Sequence, residues 1–156
     1  MARPKDIGTS AETAVVRALR RLGWPHAERR ALAGTLDLGD ITGCPGICWE
    51  VKGGQAAKDA GDGQIALWLA ETERERVNGN AMIGVLVVQR RGVGPANAHR
   101  WWVHLPLWQV AELANGQALT DAHTALLPVR MLLTDVCTLL RDAGYGEPLP
   151  GEAVAG

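Results

Sequence analysis

No run of about 18 consecutive apolar residues occurs in the 156-residue chain, so a membrane-spanning helix is not expected. The opening Met1-Ala-Arg-Pro-Lys-Asp6 has no apolar segment of the secretory kind, and the chain reads as a cytoplasmic protein. Cysteine is sparse. Cys44, Cys48 and Cys137 are odd in number and form no Cys-x-x-Cys pair, and no histidine stands at zinc-finger spacing. This argues against a disulfide framework and against a structural zinc site. His26, His99, His104 and His123 show no metal-ligand spacing and are assigned no role. Internal repeats are absent, and lysine is scarce, with three lysines against thirteen arginines.

What is present is enough for one folded domain. At 47% apolar residues, a chain of this length can bury a real core, and residues 1–143 read as a single domain. The stretch from 144 to 156 is rich in Gly and Pro and reads as a flexible tail. The net charge of −1 hides an asymmetry. Residues 1–58 carry nine Lys and Arg against six Asp and Glu, whereas residues 59–156 carry seven against eleven. The arginine excess suits phosphate oxygens, because a guanidinium presents a planar fork of donors; a compositional bias would give the same counts.

Apolar residues at helical spacing (Ala14, Val15, Ala18, Leu19, Leu22) predict a helix over 9–23, started by the capping signal Thr9-Ser-Ala-Glu12 and stopped by Gly23 and Pro25. A short extended run over 27–32 follows, then Gly34 to Ile41, the turn Thr42-Gly-Cys-Pro-Gly46, and Ile47-Cys-Trp-Glu-Val-Lys52. The last two runs form a hairpin. A loop over 53–63 leads into an amphipathic helix over 64–77, and the continuous apolar run 82–89 predicts a strand buried on both faces. Residues 100–105 read as a further strand, 106–114 as a short helix and 125–143 as a last helix. The order predicts an α/β fold, a mixed central sheet flanked by helices.

The chemistry lies in the hairpin. Side chains alternate faces along a strand, so Glu50 and Lys52 share one face while Trp49 and Val51 share the other. With Ile41 opposite Ile47, Asp40 lies opposite Cys48 and one diagonal step from Glu50, roughly 5–8 Å between carboxylates. The same parity puts Asp37 on the far face, which makes it the alternative metal ligand. A bulge at Gly39 would reverse that order. Two carboxylates beside an ammonium are what phosphodiester hydrolysis asks for: hard oxygen ligands for a Mg²⁺ ion, and a cation for developing charge on phosphorus.

A helix-one acid, an aspartate, a short hairpin, Glu50-Val51-Lys52 and a following helix bearing Gln64 together resemble the PD-(D/E)xK nuclease superfamily, in particular its Holliday-junction-resolvase-like, phage-type branch. The resemblance covers about residues 8–105 and departs from the pattern in having Gly39, not Pro, before the aspartate. The tripeptide alone is expected by chance roughly 0.3 times in such a chain, so its context carries the weight. The resemblance implies a restriction-endonuclease-like αβββαβ core and Mg²⁺-dependent cutting of branched DNA in a bacterial cytosol, with Mn²⁺ able to substitute and no small-molecule cofactor. It makes Glu12, Asp40 and Glu50, with the Val51 carbonyl, the metal ligands; Lys52 and Gln64 complete the catalytic set. Two symmetric cuts imply a homodimer, for which the apolar stretch 126–140 is a candidate contact. Arg17, Arg20, Arg21, Arg29, Arg30 and Lys58 are the candidate DNA contacts.

Blander readings stand beside these. Glu12 closes a capping box with Thr9, Asp37 and Asp40 are turn formers, Glu50 and Lys52 form a surface pair on an edge strand, and Gln64 is an ordinary first-turn residue. Trp68, Trp101, Trp102 and Trp108 read as core or interface residues. Duplex or flap cleavage, or a non-catalytic DNA-binding module, remain alternatives to junction resolution.

Overall fold

The computed structural model describes residues 3–31 and 34–152. The chain opens with α1 (Pro4–Arg21) and lays down β1 (Glu28–Arg29), β2 (Ile41–Thr42) and β3 (Ile47–Lys52). A short α2 (Gly54–Lys58) and a long α3 (Asp62–Asn78) lead to β4 (Ile83–Val88), a 3-10 helix (Pro95–Arg100) and β5 (Trp102–Pro106). The chain continues through α4 (Leu107–Asn115), α5 (Ala122–Ala125), β6 (Pro128–Leu132) and α6 (Leu133–Asp142). The strands form one six-stranded mixed sheet in sequence order. Neighbours are antiparallel except β3 and β4, which run parallel because α2 and α3 carry the chain back between them. Among the described residues, no helix is long and apolar enough to cross a membrane.

Alternation along β3 divides the molecule into two layers. Ile47, Trp49 and Val51 enter the larger core with Val15, Leu19 and Trp24 of the α1 region and Leu133, Val136 and Leu140 of α6. Full burial of Val15 and Leu19 contributes about 1.5–3 kcal/mol each, which anchors α1 and the Glu12 it carries against the sheet. The other face holds a smaller cluster of Ala57, Ile65, Leu86 and Val88 beneath α2 and α3. Cys48, Glu50 and Lys52 therefore face α3. β4 is buried along its whole length, as its unbroken apolar run predicts.

Several boundaries differ from the sequence reading. Helix α1 begins at Pro4, a residue suited to a first helical turn, and Thr9 lies inside it with its carbonyl accepting from the Thr13 hydroxyl at 2.8 Å. The capping box of Thr9 and Glu12 is therefore not formed. Residues 34–40 are not a strand, since Gly34 (φ +84°) and Gly39 (φ +91°) turn the chain out of extended geometry. Where helix 125–143 was expected, Pro128 interrupts it and 128–132 becomes the edge strand β6. The apolar stretch 126–140 does not form an exposed face: Leu133, Val136, Cys137 and Leu140 are buried in the chain's own core, and Leu126 and Leu127 stay exposed. Residues 144–152 are held rather than free: the Glu147 N–H donates to Gly23 O (2.7 Å), Tyr145 packs on the core and Arg141 pairs with Glu152 (2.7 Å). Leu32, the end of the first extended run, and the last tail residues 153–156 lie outside the described residues.

The hairpin register is also shifted. Ile41 pairs with Trp49, not Ile47. The reason lies in Cys44-Pro45-Gly46-Ile47, where Ile47 N–H closes a turn onto Cys44 O (3.1 Å) over Pro45 and a positive-φ Gly46, so Ile47 is spent before pairing can start. A shift of two residues preserves side-chain parity at Ile41, and Asp40 just before it moves from beside Cys48 to beside Glu50, with its N–H on Trp49 O and its Oδ2 on Val51 N–H.

One backbone gap is closed by a side chain. The β4–β5 register would set Gly84 against Pro106, which has no N–H to give. The buried Gln109 replaces it, its Oε1 accepting from Gly84 N (2.6 Å) and its Nε2 donating to Gly84 O (2.8 Å). Gln109→Ala strands both groups, and a loss of about 1–3 kcal/mol in urea unfolding is expected. A change below roughly 0.5 kcal/mol, the scale of an ordinary surface substitution, would contradict that role.

Candidate active site

β3 is third of six strands, so Glu50 occupies the middle of the sheet and is 5% exposed, which removes the edge-pair reading. Gly39 lets the chain reach it. A Cβ there would stand 2.9 Å from both Cys48 Sγ and Trp49 O. Asp40 follows, with its N–H donating to Trp49 O (2.7 Å) and its Oδ2 accepting from Val51 N–H (2.8 Å). In a strand the N–H and C=O of one residue point the same way, so the Val51 carbonyl also faces the Asp40 side. Glu12 approaches from α1, with Arg29 Nε on its Oε2 at 3.0 Å and Arg29 also on Thr9 Oγ1 at 3.2 Å. Lys52 Nζ lies 2.9 Å from Glu50 Oε1 and 3.0 Å from Glu71 Oε1, and 5.7 Å from the centre of the Trp68 ring.

Helix α3 supplies acids of its own. Glu71 and Glu75, one turn apart, meet Asp37 so that one oxygen from each lies within 4.8 Å of the other two, an arrangement able to hold a metal ion. Glu75 is 2% exposed, and among the described residues no N–H or hydroxyl donor reaches either carboxylate oxygen, the neighbouring Glu50 carboxyl being its hydrogen-bond partner. Because residues 34–40 are not a strand, strand parity does not turn Asp37 to the far face. Asp37 and Asp40 both join the site, Asp37 toward α3 and Asp40 toward β3.

This crowding shows in the proton affinities. Burial, and then Glu50 and Glu12, push the Asp40 carboxyl up to about 8 against the pull of the Val51 N–H. Burial, and then Glu75, push Glu50 up to about 8, against Lys52. Glu75 rises to about 7 through burial, with Asp37, Asp40 and Glu71 adding to it and a shared hydrogen bond with Glu50 opposing. Burial works against the charge on Lys52, but Glu50 and Glu71 outweigh it and hold the ammonium protonated well beyond the ordinary lysine range. The cluster therefore retains protons near neutral pH, and a divalent cation would displace them.

No family model matches the chain, and no curated protein or solved structure matches it. What the site does has to be read from its own chemistry.

Of the residues singled out from sequence, Asp40, Glu50, Val51 and Lys52 converge, Glu12 stands at their edge and Asp37 a short way along. Gln64 is exposed on the first turn of α3, on the stripe that continues through Trp68, Glu71 and Glu75, and among the described residues its side chain hydrogen-bonds to none of the acids. Arg29 is bound to Glu12, and Arg30 lies close enough to Cys48 to influence it. Arg20 is tied to Ala27 O (2.9 Å), and Arg17 and Arg21 are turned about 140° and 180° round α1 from Glu12. Lys58 ends α2, half-buried.

Two features escaped the sequence reading. The Glu71–Glu75 spacing on the Gln64–Trp68 stripe was the available signal for the first. The second is Trp102, with the Arg90 and Arg130 guanidinium carbons 4.1 and 4.2 Å from its ring centre. Trp102 pairs with Val88, and Val88 with Lys52, so this cationic stack occupies the same sheet face two strands away. Of the tryptophans, Trp101 is core, whereas Trp68 and Trp108 stand half-buried beside Lys52 and Arg76.

Proposed function

We propose that the chain is a metal-dependent DNA endonuclease of the PD-(D/E)xK type that hydrolyses phosphodiester bonds in branched DNA. The observation that carries this reading is Asp40 held across from the buried Glu50, with Lys52 two residues further along the same strand face. The element order α1-β1-β2-β3-α2-α3-β4 supports it, since with the five-residue α2 taken as a lead-in to α3 this is the αβββαβ order of such nucleases.

Asp40, Glu50 and the Val51 carbonyl would hold Mg²⁺, or Mn²⁺ in its place, with Glu12 acting at the edge; the donors are all hard oxygens, as that ion prefers. When bound, the ion supplies an acidified water and compensates charge on the phosphate. Glu50 and Glu71 keep Lys52 charged in the metal-free site, a state that suits it to meet negative charge rather than to remove a proton from water. Its part is to stabilise negative charge as the phosphorus becomes five-coordinate. Glu50 and Glu71 fix the Lys52 ammonium from two sides, which keeps it in place as the phosphate arrives. Arg29, Arg30 and the Arg90–Trp102–Arg130 stack flank the acids and would take the DNA backbone on either side. Paired cuts in a four-way junction need two copies of this site, hence a homodimer.

The test is cleavage of a labelled four-way junction and of linear duplex with the same arms, with and without Mg²⁺. Mg²⁺-dependent junction cutting, reduced by about 10²-fold or more in Lys52→Ala, is expected. Junction binding without cutting, or cutting that Lys52→Ala leaves intact, overturns the proposal; preference for the linear duplex overturns its substrate.

A further inference from the structure

We infer that Asp37, Glu71 and Glu75 hold a divalent cation of their own, separate from the Asp40–Glu50 position. Three carboxylates contribute one oxygen each within 4.8 Å of one another, from two segments far apart in sequence. An acidic cluster by itself would mean little. Here Glu75 is 2% exposed, its two oxygens meet no N–H or hydroxyl donor among the described residues, its hydrogen-bond partner is another acid, Glu50, and its charged neighbours are further carboxylates. A buried carboxylate is normally satisfied by hydrogen-bond donors or a cation. Lys52 contacts this group but is already shared between Glu50 and Glu71. Asp37 uses Oδ1 to accept from Gly39 N–H (3.1 Å), which leaves its other oxygen for a ligand.

The ligand class follows from the donors and the access. Three carboxylates without nitrogen or sulfur favour Mg²⁺, Mn²⁺ or Ca²⁺ over zinc. Asp37, Glu71 and Glu75 line a cleft with Arg74, Val77 and Asn78, through which a hydrated ion can enter. A cation there would tie residues 34–40, which have no regular structure, to α3. Asn78 Nδ2 already makes such a tie to Asp37 O at 3.2 Å. Because Asp40 is only three residues beyond Asp37, occupancy would also fix the Asp40 carboxylate; this second role rests on the nuclease reading, whereas binding itself does not.

Calorimetric titration of the full chain with Mn²⁺ tests it, using Asp37→Asn and Glu75→Gln against Asp40→Asn, with hydrogen exchange of amides 34–40 as the second readout. Asp37→Asn and Glu75→Gln should each lose one binding event or weaken it at least tenfold, while Asp40→Asn keeps it. Mn²⁺ should slow exchange over 34–40 in wild type and Asp40→Asn but not in Glu75→Gln. Wild-type stoichiometry and affinity in Glu75→Gln overturn the inference; if that variant does not fold, the same result in Asp37→Asn, whose side chain is exposed, does so. Junction cleavage with binding abolished by Asp40→Asn alone would remove this site and keep the nuclease. Binding retained in Asp40→Asn with no cleavage in wild type would do the reverse.

Discussion

Asp40→Asn and Glu50→Gln are each expected to abolish metal-dependent cleavage, by about 10³-fold or roughly 4 kcal/mol of transition-state stabilisation, while making the metal-free protein more stable. The two effects have one origin. Carboxylates gathered to bind a cation repel one another in its absence, and both residues hold their protons up to about 8 where an isolated acid would release them near 4. The amides keep the shape and remove the charge, and the Asp40→Asn side chain would still offer an oxygen to the Val51 N–H that Asp40 accepts at 2.8 Å. For the 5%-exposed Glu50 the gain at pH 8 is on the order of a few kcal/mol. Thermal melts in EDTA measure it, beside cleavage assays on the same preparations. A variant that loses stability along with activity would mean that the carboxylate supports the fold, and the catalytic assignment of that residue would fail.

The catalytic strand was legible because strand parity is a local property. Glu50 and Lys52 share a face whatever the rest of the chain does, and the five apolar side chains of β4, with no charged residue among them, announce a strand buried on both faces. Asp40 survived an error in register only because the error was two residues, an even number. Asp37 did not survive the assumption of a strand before Ile41, since two positive-φ glycines, Gly34 and Gly39, had already bent the chain. Glu71 and Glu75 were hidden by their neighbourhood. In Glu71-Thr-Glu-Arg-Glu-Arg76 the charges look like a solvated helix face, and only packing shows that Glu75 turns under the sheet while Glu73 stays outside, paired with Arg76 at 2.6 Å. β6 was missed for a similar reason: Val129 and Met131 are a weak alternation that β5 makes into a strand by pairing with it.

The same crowding predicts how stability depends on pH. Asp40, Glu50 and Glu75 hold protons in the folded chain up to about 8, 8 and 7, whereas the unfolded chain releases them near 4. Across that window the folded state binds more protons than the unfolded, so stability falls as pH rises, and it levels off once the folded carboxyls have also ionised. His104 acts oppositely. Burial and Arg130 lower it to about 4, so between there and 6.5 the unfolded chain holds the extra proton and stability rises with pH. The decline should therefore be cleanest from about pH 6.5 to 8, with a slope near 1.4 kcal/mol per pH unit for each proton retained. Saturating Mg²⁺ or Mn²⁺ should flatten or reverse it, because the cation takes the place of those protons, and apparent metal affinity should rise about 10- to 100-fold over the same interval. Urea unfolding at half-unit steps, in EDTA and in saturating Mg²⁺, reads both. A metal-free stability that is flat or rising between pH 6.5 and 8 would mean that the acids are not crowded as described, and the case for a cation among them would lose its electrostatic basis.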